Sequence, residues 1–173
     1  MKVLVTGANG LLGVNLVREL RKVNIEVKAL VRPSANLKGL QEVPCQLIRG
    51  DLFSNVDISK ALEDCDAVVH AASTTSVVPL GFDHYRRINV ETTKNVVQAA
   101  LNQRKRLVYV STANAFGPGT KENPGTESSP FSLHHYHSGY INSKYMAQQH
   151  VLHTVEKQNL DAVVVNPTFI IGA

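Results

Sequence analysis

The chain has 173 residues, of which 43% are hydrophobic and 18% are charged, so it is long enough to bury one core and too apolar to be disordered. No apolar run approaches the ~20 residues that span a bilayer and no secretory signal precedes the first glycine turn, so we expect a cytoplasmic protein with no membrane partner. The net charge of +4 is mild, and solvated helix faces account for it better than a nucleic-acid partner does.

Short β-branched runs alternate with longer helical patterns, which is typical of a parallel sheet with helices on both faces. We predict a Rossmann-type, doubly wound parallel sheet in three α/β/α layers, with residues 1–173 forming one domain. Most of the strands are nearly continuous apolar runs, so we expect both of their faces to be buried. The predicted strands are Lys2–Val5, Glu26–Val31, Gln46–Arg49, Ala67–His70, Leu107–Ser111 and Ala162–Asn166. The predicted helices are Leu11–Lys22, Ile58–Glu63, Tyr85–Gln103 and Ser138–Lys157, with a turn near Leu37–Gln41.

A glycine-rich turn follows the first strand directly, with the sequence TGANGLLG over Thr6–Gly13. Glycines allow a sharp turn and a close approach of the backbone to a pyrophosphate, and the helix that follows offers free N–H groups to the phosphates. The turn therefore predicts a dinucleotide site, although a plain strand–turn–helix is the alternative. The predicted cofactor contacts here are Gly7, Asn9, Gly10, Leu11, Leu12 and Gly13.

The ends of the next strands suggest where the rest of the cofactor lies. NAD-binding turns are followed about 20 residues later by an acidic residue, but here Arg32 takes that place and could bind a 2′-phosphate. We therefore favour NADP over NAD, with a solvated strand-end arginine as the alternative. Asp51 and Leu52 follow the third strand near the expected adenine, and a loop or capping role fits Asp51 equally well. The small residues Ala71 and Ala72 would let a cofactor pass close to the fourth strand.

Tyr140 and Lys144 lie four residues apart and hence on one helix face. A phenol has a pKa of about 10, so a general base at neutral pH needs a shift of about three units, or ~4 kcal/mol. A neighbouring ammonium and an oxidised nicotinamide both favour the phenolate, which can then exchange a proton while hydride moves. A second hydroxyl, from Ser111 or Thr112, would hold the substrate oxygen, and strand alternation lets only one of them face the site.

The least regular stretch is Gly117–His137, between the fifth strand and the Tyr140 helix. Ligands of open α/β sheets bind beyond the carboxyl ends of the strands, and irregular segments of this length are usually functional. We predict a loop over the active site. Its histidines, His134, His135 and His137, lack acidic or thiol neighbours at ligand spacing, so we expect substrate contact and no metal site.

Together these pieces resemble an extended short-chain dehydrogenase/reductase of the NAD-dependent epimerase/dehydratase family, nearest to its dihydroflavonol-reductase-like members. The resemblance implies that Thr112 supplies the active hydroxyl, that Tyr140 is the acid/base, and that Lys144 binds the ribose and tunes the phenol. It also implies that Pro167 and Thr168 lie beside the nicotinamide. The matching segments are Thr6–Gly13, Gly50–Leu52, Val69–Ala72, Asn89-Val90, Val110–Gly117, Tyr140–Lys144 and Asn166–Thr168.

Two departures from the family pattern narrow the function. Ala113-Asn114 replaces the Asp-Glu pair with which 4,6-dehydratases remove water, and Arg32 resembles the NADP-preferring reductases. We therefore expect an NADP-dependent oxidoreductase acting on a small carbonyl or secondary alcohol. The alternatives are a nucleotide-sugar 4-epimerase with bound NAD and a dinucleotide sensor without turnover.

The resemblance has three further implications. Asn89 would be a buried brace of the site, or else a helix-surface amide. A homodimer would form through the predicted helices Tyr85–Gln103 and Ser138–Lys157, and a substrate-capping region would follow residue 173.

Overall fold

A computed structural model of the chain describes residues 1–75 and 81–172. The strands in these ranges form one six-stranded parallel sheet in the order β3-β2-β1-β4-β5-β6, which is the doubly wound Rossmann order. The predicted fold is therefore confirmed, and the strand bounds differ from prediction by one residue at the ends of β1, β5 and β6. The strands are β1 (Lys2–Thr6), β2 (Glu26–Val31), β3 (Gln46–Arg49), β4 (Ala67–His70), β5 (Arg106–Val110) and β6 (Ala162–Val165).

Helices connect these strands on both sides of the sheet. The α-helices described are α1 (Leu11–Lys22), α2 (Asn55–Leu62), α3 (Phe82–Tyr85), α4 (Thr92–Asn102) and α5 (Gly139–Gln158). Short 3₁₀ turns lie at Lys38–Leu40, Ala113–Ala115 and Leu133–Tyr136. Helix α2 begins three residues before the predicted start, because the Ser54 hydroxyl caps it by accepting a bond from the Asp57 N–H.

Two hydrophobic clusters fill the space between the sheet and the helices. Along β1, Leu4 points into the cluster that α2, α4 and α5 cover, whereas Val3 and Val5 point into the cluster beneath α1. This alternation is the two-residue period of a strand, and it puts apolar side chains on both faces of the central strands. The carboxyl ends of those strands are thereby held at one edge of a rigid sheet.

The edge strands depart from the prediction that strand faces are buried. Residues of β3 are mostly exposed, and in β6 Val163 and Val165 are 38% and 40% exposed. Each of these strands pairs with one neighbour only among the described residues, so less of the sheet and fewer helices cover them.

The segment predicted as one helix over Tyr85–Gln103 is interrupted. A π-helical stretch, Arg86–Glu91, separates α3 from α4. The hydroxyls of Thr92 and Thr93 donate to the carbonyls of Ile88 and Asn89, four residues earlier. A widened turn of this kind often occurs at functional sites, and here it contains Asn89, which is buried.

Candidate active site

The carboxyl ends of β1, β4, β5 and β6 open on one cavity of about 1020 Å³. The cavity is lined by backbone and side chains from these strand ends, from the first turn of α1 and from the start of α5. The lining residues are Gly7, Gly10, Leu11, Leu12, Gly13, Ala71, Ser73, Thr75, Tyr85, Val110, Ser111, Thr112, Ala113, Asn114, His137, Ser138, Gly139, Tyr140, Ile141, Lys144, Pro167, Thr168, Phe169 and Ile170.

The glycine turn forms one wall of the cavity. Gly7 has a φ of +70°, and a Cβ there would lie 2.6 Å from the Ala72 nitrogen. A Cβ on Gly13 would lie 2.1 Å from the carbonyl oxygen of Gly7, so only hydrogen fits at either position. Gly10 precedes α1 without a capping side chain, and the first turn contains no acidic residue. The positive end of α1 is thus open to an anion.

Tyr140 and Thr112 both line the cavity. Burial raises the pKa of the Tyr140 phenol, and hydrogen bonding with the Thr112 hydroxyl partly offsets that rise. Tyr140 lies in the first turn of α5, which the Ser138 hydroxyl caps by accepting a bond from the Ile141 N–H. The sequence predicts that Lys144 and an oxidised nicotinamide together lower this pKa. Among the protein's own groups burial has the largest influence, so the phenol keeps its proton at neutral pH.

Lys144 lies one helical turn after Tyr140 and is 3% exposed. Its ammonium donates a hydrogen bond of 2.7 Å to the Val110 carbonyl and lies 4.6 Å from the centre of the Tyr109 ring. Burial lowers the pKa of Lys144 to about 7, because the charged form loses its hydration. The side chain therefore anchors α5 to the end of β5 with its amine at the cavity surface.

Both candidate residues, Ser111 and Thr112, line the cavity. β5 ends at Val110, but the Ser111 N–H still bonds the Val165 carbonyl at 2.8 Å. Which of the two hydroxyls would face a substrate stays a prediction. Thr112 caps the following 3₁₀ turn by accepting from the Asn114 N–H at 3.3 Å. The Ser111 hydroxyl is buried without a hydrogen-bond partner among the described residues.

Asn89 braces the site from the π-helical stretch. It is 1% exposed, which excludes the helix-surface alternative. Its amide nitrogen donates to the Ser143 hydroxyl at 2.9 Å, and its carbonyl oxygen accepts from the Thr74 N–H at 2.8 Å. Ser143 in turn donates to the Tyr140 carbonyl at 2.8 Å. The network ties the end of β4 to the helix that positions Tyr140.

The sequence profile of the NAD dependent epimerase/dehydratase family matches residues 3–173. The chain belongs to this family. A Synechocystis sp. protein with the provisional name dihydroflavonol 4-reductase is 34% identical over 169 residues, which are 97% of this chain and 49% of that protein. UDP-glucose 4-epimerase of Vibrio cholerae is 28% identical over 183 residues, covering 98% of this chain and 52% of the epimerase.

A solved structure extends the likeness to a third chemistry within the family. DesIV, a dTDP-glucose 4,6-dehydratase from Streptomyces venezuelae with NAD and TYD bound, superimposes with a TM-score of 0.84 at 27% identity. The alignment covers 95% of this chain and 54% of DesIV. The chain thus spans about half the length of the relatives it matches, and those relatives are a reductase, an epimerase and a dehydratase by name.

Five of the predicted cofactor residues do not line the cavity: Asn9, Arg32, Asp51, Leu52 and Ala72. Arg32 is exposed at the tip of β2. The Asp51 carboxylate accepts from the Phe53 N–H at 3.0 Å, which is the loop role left open as its alternative. Leu52 packs against the hydrophobic core and Asn9 donates to the Asn36 carbonyl at 3.3 Å. Ala72 instead backs the turn at Gly7.

The loop Gly117–His137 contributes less to the cavity than predicted. Only His137 from this segment lines it, in a left-handed conformation with a φ of +49°. Phe131 stacks on Tyr145 with ring centres 4.0 Å apart, so this part of the loop packs against α5. Within residues 1–75 and 81–172, no three His, Cys, Asp or Glu side chains are grouped to hold a metal ion.

Several residues that line the cavity were not predicted from the sequence, among them Ser73, Thr75, Tyr85, Phe169 and Ile170. Ser73 and Thr75 follow Ala71-Ala72, so the strand-end rule could have found them by extension beyond β4. Tyr85 approaches through tertiary packing: a Cβ on Gly139 would lie 2.5 Å from its ring, a contact without any local sequence signature.

None of the helices in the described part of the chain is long and apolar enough to cross a membrane.

Proposed function

We propose that the protein is an NADP-dependent oxidoreductase that transfers hydride between a nicotinamide and a carbonyl or secondary alcohol. The observation that supports this most directly is the shared cavity. The glycine turn at Gly7–Gly13 lies at one side of it, and Thr112, Tyr140 and Lys144 lie at another. A dinucleotide can thus be bound by the first group while its reactive end meets the second.

The residues present fit a dinucleotide. The turn excludes a Cβ at Gly7 and Gly13, which leaves backbone alone at the surface where a pyrophosphate would approach. Lys144 would bind the nicotinamide ribose, and Pro167 and Thr168 would flank the nicotinamide ring, as the family resemblance implies. When bound, the cofactor supplies or accepts the hydride.

Tyr140 would move the proton. Because burial raises its pKa, the phenol is protonated at neutral pH and is ready to donate to a carbonyl oxygen. Thr112 would hold the same oxygen through its hydroxyl and so orient it toward Tyr140. A hydride added to carbon and a proton added to oxygen convert the carbonyl into an alcohol, which balances the reduction.

Two arginines favour NADP. Arg32 extends from the tip of β2, and Arg49 lies opposite Val31 in the neighbouring strand. The Arg49 guanidinium donates to the Pro33 carbonyl at 2.5 Å, so it lies against the same turn as Arg32. Two cations beside the second strand suit a 2′-phosphate better than a bare hydroxyl. Arg49 ends a predicted strand but was not singled out from the sequence, since its nearness to Arg32 is visible only once β2 and β3 are paired.

A 4-epimerase is the second candidate. It is favoured by the similarity to UDP-glucose 4-epimerase over nearly the whole chain, and it would use the same tyrosine with retained NAD. The dehydratase chemistry of DesIV fits less well, because Ala113-Asn114 offers no acid pair at the site. A sensor without turnover would have no use for the Thr112, Tyr140 and Lys144 arrangement.

The decisive experiment follows a deuterium label. NADPH deuterated at C4 would be incubated with the full-length protein and a panel of ketones and aldehydes. We expect stoichiometric NADPH consumption and deuterium on the alcohol carbon. Three results together would establish the epimerase instead: no NADPH is consumed, NAD stays bound through gel filtration, and nucleotide sugars are interconverted. The Tyr140→Phe variant controls for a contaminating reductase.

A further inference from the structure

Two side-chain amides, one half-buried and one buried, form a hydrogen-bonded chain to the backbone of Thr112. Asn166 is the first residue after β6, and its side-chain nitrogen donates to the Thr112 carbonyl at 2.8 Å. The same nitrogen donates to the side-chain oxygen of Gln148 at 2.7 Å. Both hydrogens of the Asn166 amide are therefore engaged, and Gln148 fixes the direction in which Asn166 points.

Gln148 belongs to the face of α5 that contains the proposed catalytic residues. It lies one helical turn after Lys144 and two turns after Tyr140, and it is 5% exposed. Two of these side chains reach the segment at the end of β5: Lys144 bonds the Val110 carbonyl, and Gln148 reaches the Thr112 carbonyl through Asn166. Tyr140 lines the cavity together with Thr112. The helix that contains Tyr140 thus contacts this segment at two sites.

The peptide that joins Thr112 to Ala113 is bonded by backbone groups as well as by Asn166. The Ala113 N–H donates to the Pro167 carbonyl, and the Ala115 N–H donates to the Thr112 carbonyl, both at 2.9 Å. The bond from Asn166 differs from these two because it continues to α5, through Gln148. The Asn166 amide thus couples the backbone at Thr112 to α5.

We propose that Gln148 and Asn166 are positioning residues, which hold Thr112 so that its hydroxyl faces Tyr140. The proposal rests on the function proposed above for Thr112 and Tyr140. A purely structural pair would stabilise the junction of α5 and β6 without altering how Thr112 and Tyr140 interact. A positioning pair must act through Thr112, so its effect must disappear once the Thr112 hydroxyl is gone.

The test is a double-mutant cycle on the full-length protein. Gln148→Met removes the oxygen that accepts from Asn166 at similar side-chain length, and Gln148→Glu keeps an oxygen there as the matched control. Each is combined with Thr112→Val. The first readout is the pKa of Tyr140, measured by NMR of ¹³Cζ-labelled tyrosine in the NADP⁺ complex and assigned with Tyr140→Phe. This readout requires no substrate. Thermal unfolding checks that every variant is folded.

We expect Gln148→Met to raise the pKa of Tyr140, because the Thr112 bond that lowers it is weakened, and Gln148→Glu to leave it near the wild-type value. In the Thr112→Val background, Gln148→Met should cause no further shift. With a carbonyl that the wild type reduces, kcat should fall about five- to tenfold, the size of one lost hydrogen bond, at unchanged KM for NADPH.

Two results would overturn the inference. One is a Gln148→Met effect of equal size with and without the Thr112 hydroxyl, which would make the pair structural only. The other is a Tyr140 pKa that does not respond to Gln148→Met in folded protein; Asn166→Leu, which removes the Thr112 contact itself, must then also fail to shift it. Failure of the reductase proposal would appear separately, as absent deuterium transfer in the wild type.

Discussion

The strand ends of this fold form two sets, which differ in whether their residues line the cavity. The ends of β1, β4, β5 and β6 converge on the cavity, whereas Arg32 after β2 and Asp51 after β3 lie outside its lining. The first set is fixed by backbone and buried contacts, such as the glycine turn and the Lys144 bond to the Val110 carbonyl. The second set consists of exposed side chains with local contacts or none described. The proposed chemistry thus lies in the first set, called the rigid set below, and the proposed discrimination between NADP and NAD lies in the second, called the adaptable set.

The largest effect should come from Tyr140→Phe, which removes the proton donor from the rigid set. Turnover should fall by about 10²- to 10⁴-fold, the usual contribution of a general acid. The dissociation constant for NADP should stay within about twofold, because the ring remains and only the hydroxyl is lost. Steady-state kinetics and calorimetric titration measure the two quantities. Activity within tenfold of the wild type would remove Tyr140 from the proposed role.

Gly13→Ala should test the backbone requirement of the rigid set. Its Cβ would lie 2.1 Å from the Gly7 carbonyl oxygen, so either the turn or α1 must move. We expect a loss of at least about 1–3 kcal/mol in unfolding free energy and weakened dinucleotide binding. Gly10→Ala is the matched control, since its Cβ would meet the same oxygen at 3.4 Å. Equal urea midpoints for the two variants would contradict the close-packing argument.

The sheet could be predicted from the sequence because every strand is a short β-branched run followed by a turn or a helix. Parallel pairing then follows from the alternation of elements, and the ends of parallel strands meet at one edge. The glycine turn was recognisable for a similar reason, since its function depends on the absence of side chains at Gly7 and Gly13. In these places local sequence and tertiary structure impose the same requirement.

Other features could not be read from the chain. The π-helical turn at Arg86–Glu91 depends on where Asn89 finds partners, and Thr74 and Ser143 are distant in sequence. The direction of the Tyr140 pKa shift within the protein is decided by burial, which periodicity does not reveal. The end of β5 was predicted one residue too late, because Ser111 directly follows the apolar run without belonging to the strand.

The hydroxyls of Thr112 and Ser111, which follow β5, should contribute unequally to the reaction rate. Thr112→Val should slow the reaction about 100-fold, as loss of a donor to a developing oxyanion does. Ser111→Ala should have the smaller effect, because the Ser111 hydroxyl is buried, although it lacks a described partner. Single-turnover rates with NADPH separate the chemical step from binding. The reverse ranking would assign the substrate contact to Ser111.

Arg32→Asp tests the adaptable set. The acidic group would repel a 2′-phosphate and accept from a 2′-hydroxyl, so NADP should bind about 10- to 100-fold more weakly while NAD is spared. Arg49→Leu should weaken NADP less, since its guanidinium is already bonded to the Pro33 carbonyl. Turnover at saturating cofactor should stay unchanged in both variants. Equal losses for NADP and NAD would show that Arg32 does not discriminate between them.

The smallest effect should be a pH dependence of stability from His70, which joins the rigid set to α4. Its ring bonds the hydroxyls of Thr6 at 2.7 Å and Thr93 at 3.0 Å, and burial lowers its pKa from 6.5 to about 3. Between these values the unfolded chain binds the proton and the native one does not, so stability falls as pH falls, by at most about 1.4 kcal/mol per unit. Urea midpoints between pH 7 and pH 5 should therefore decline less in His70→Gln than in the wild type, whereas His134→Gln, the control at an exposed imidazole, should follow the wild type. Parallel curves for His70→Gln and the wild type would mean that His70 takes up its proton equally in both states, and that its two hydroxyl bonds do not hold it neutral.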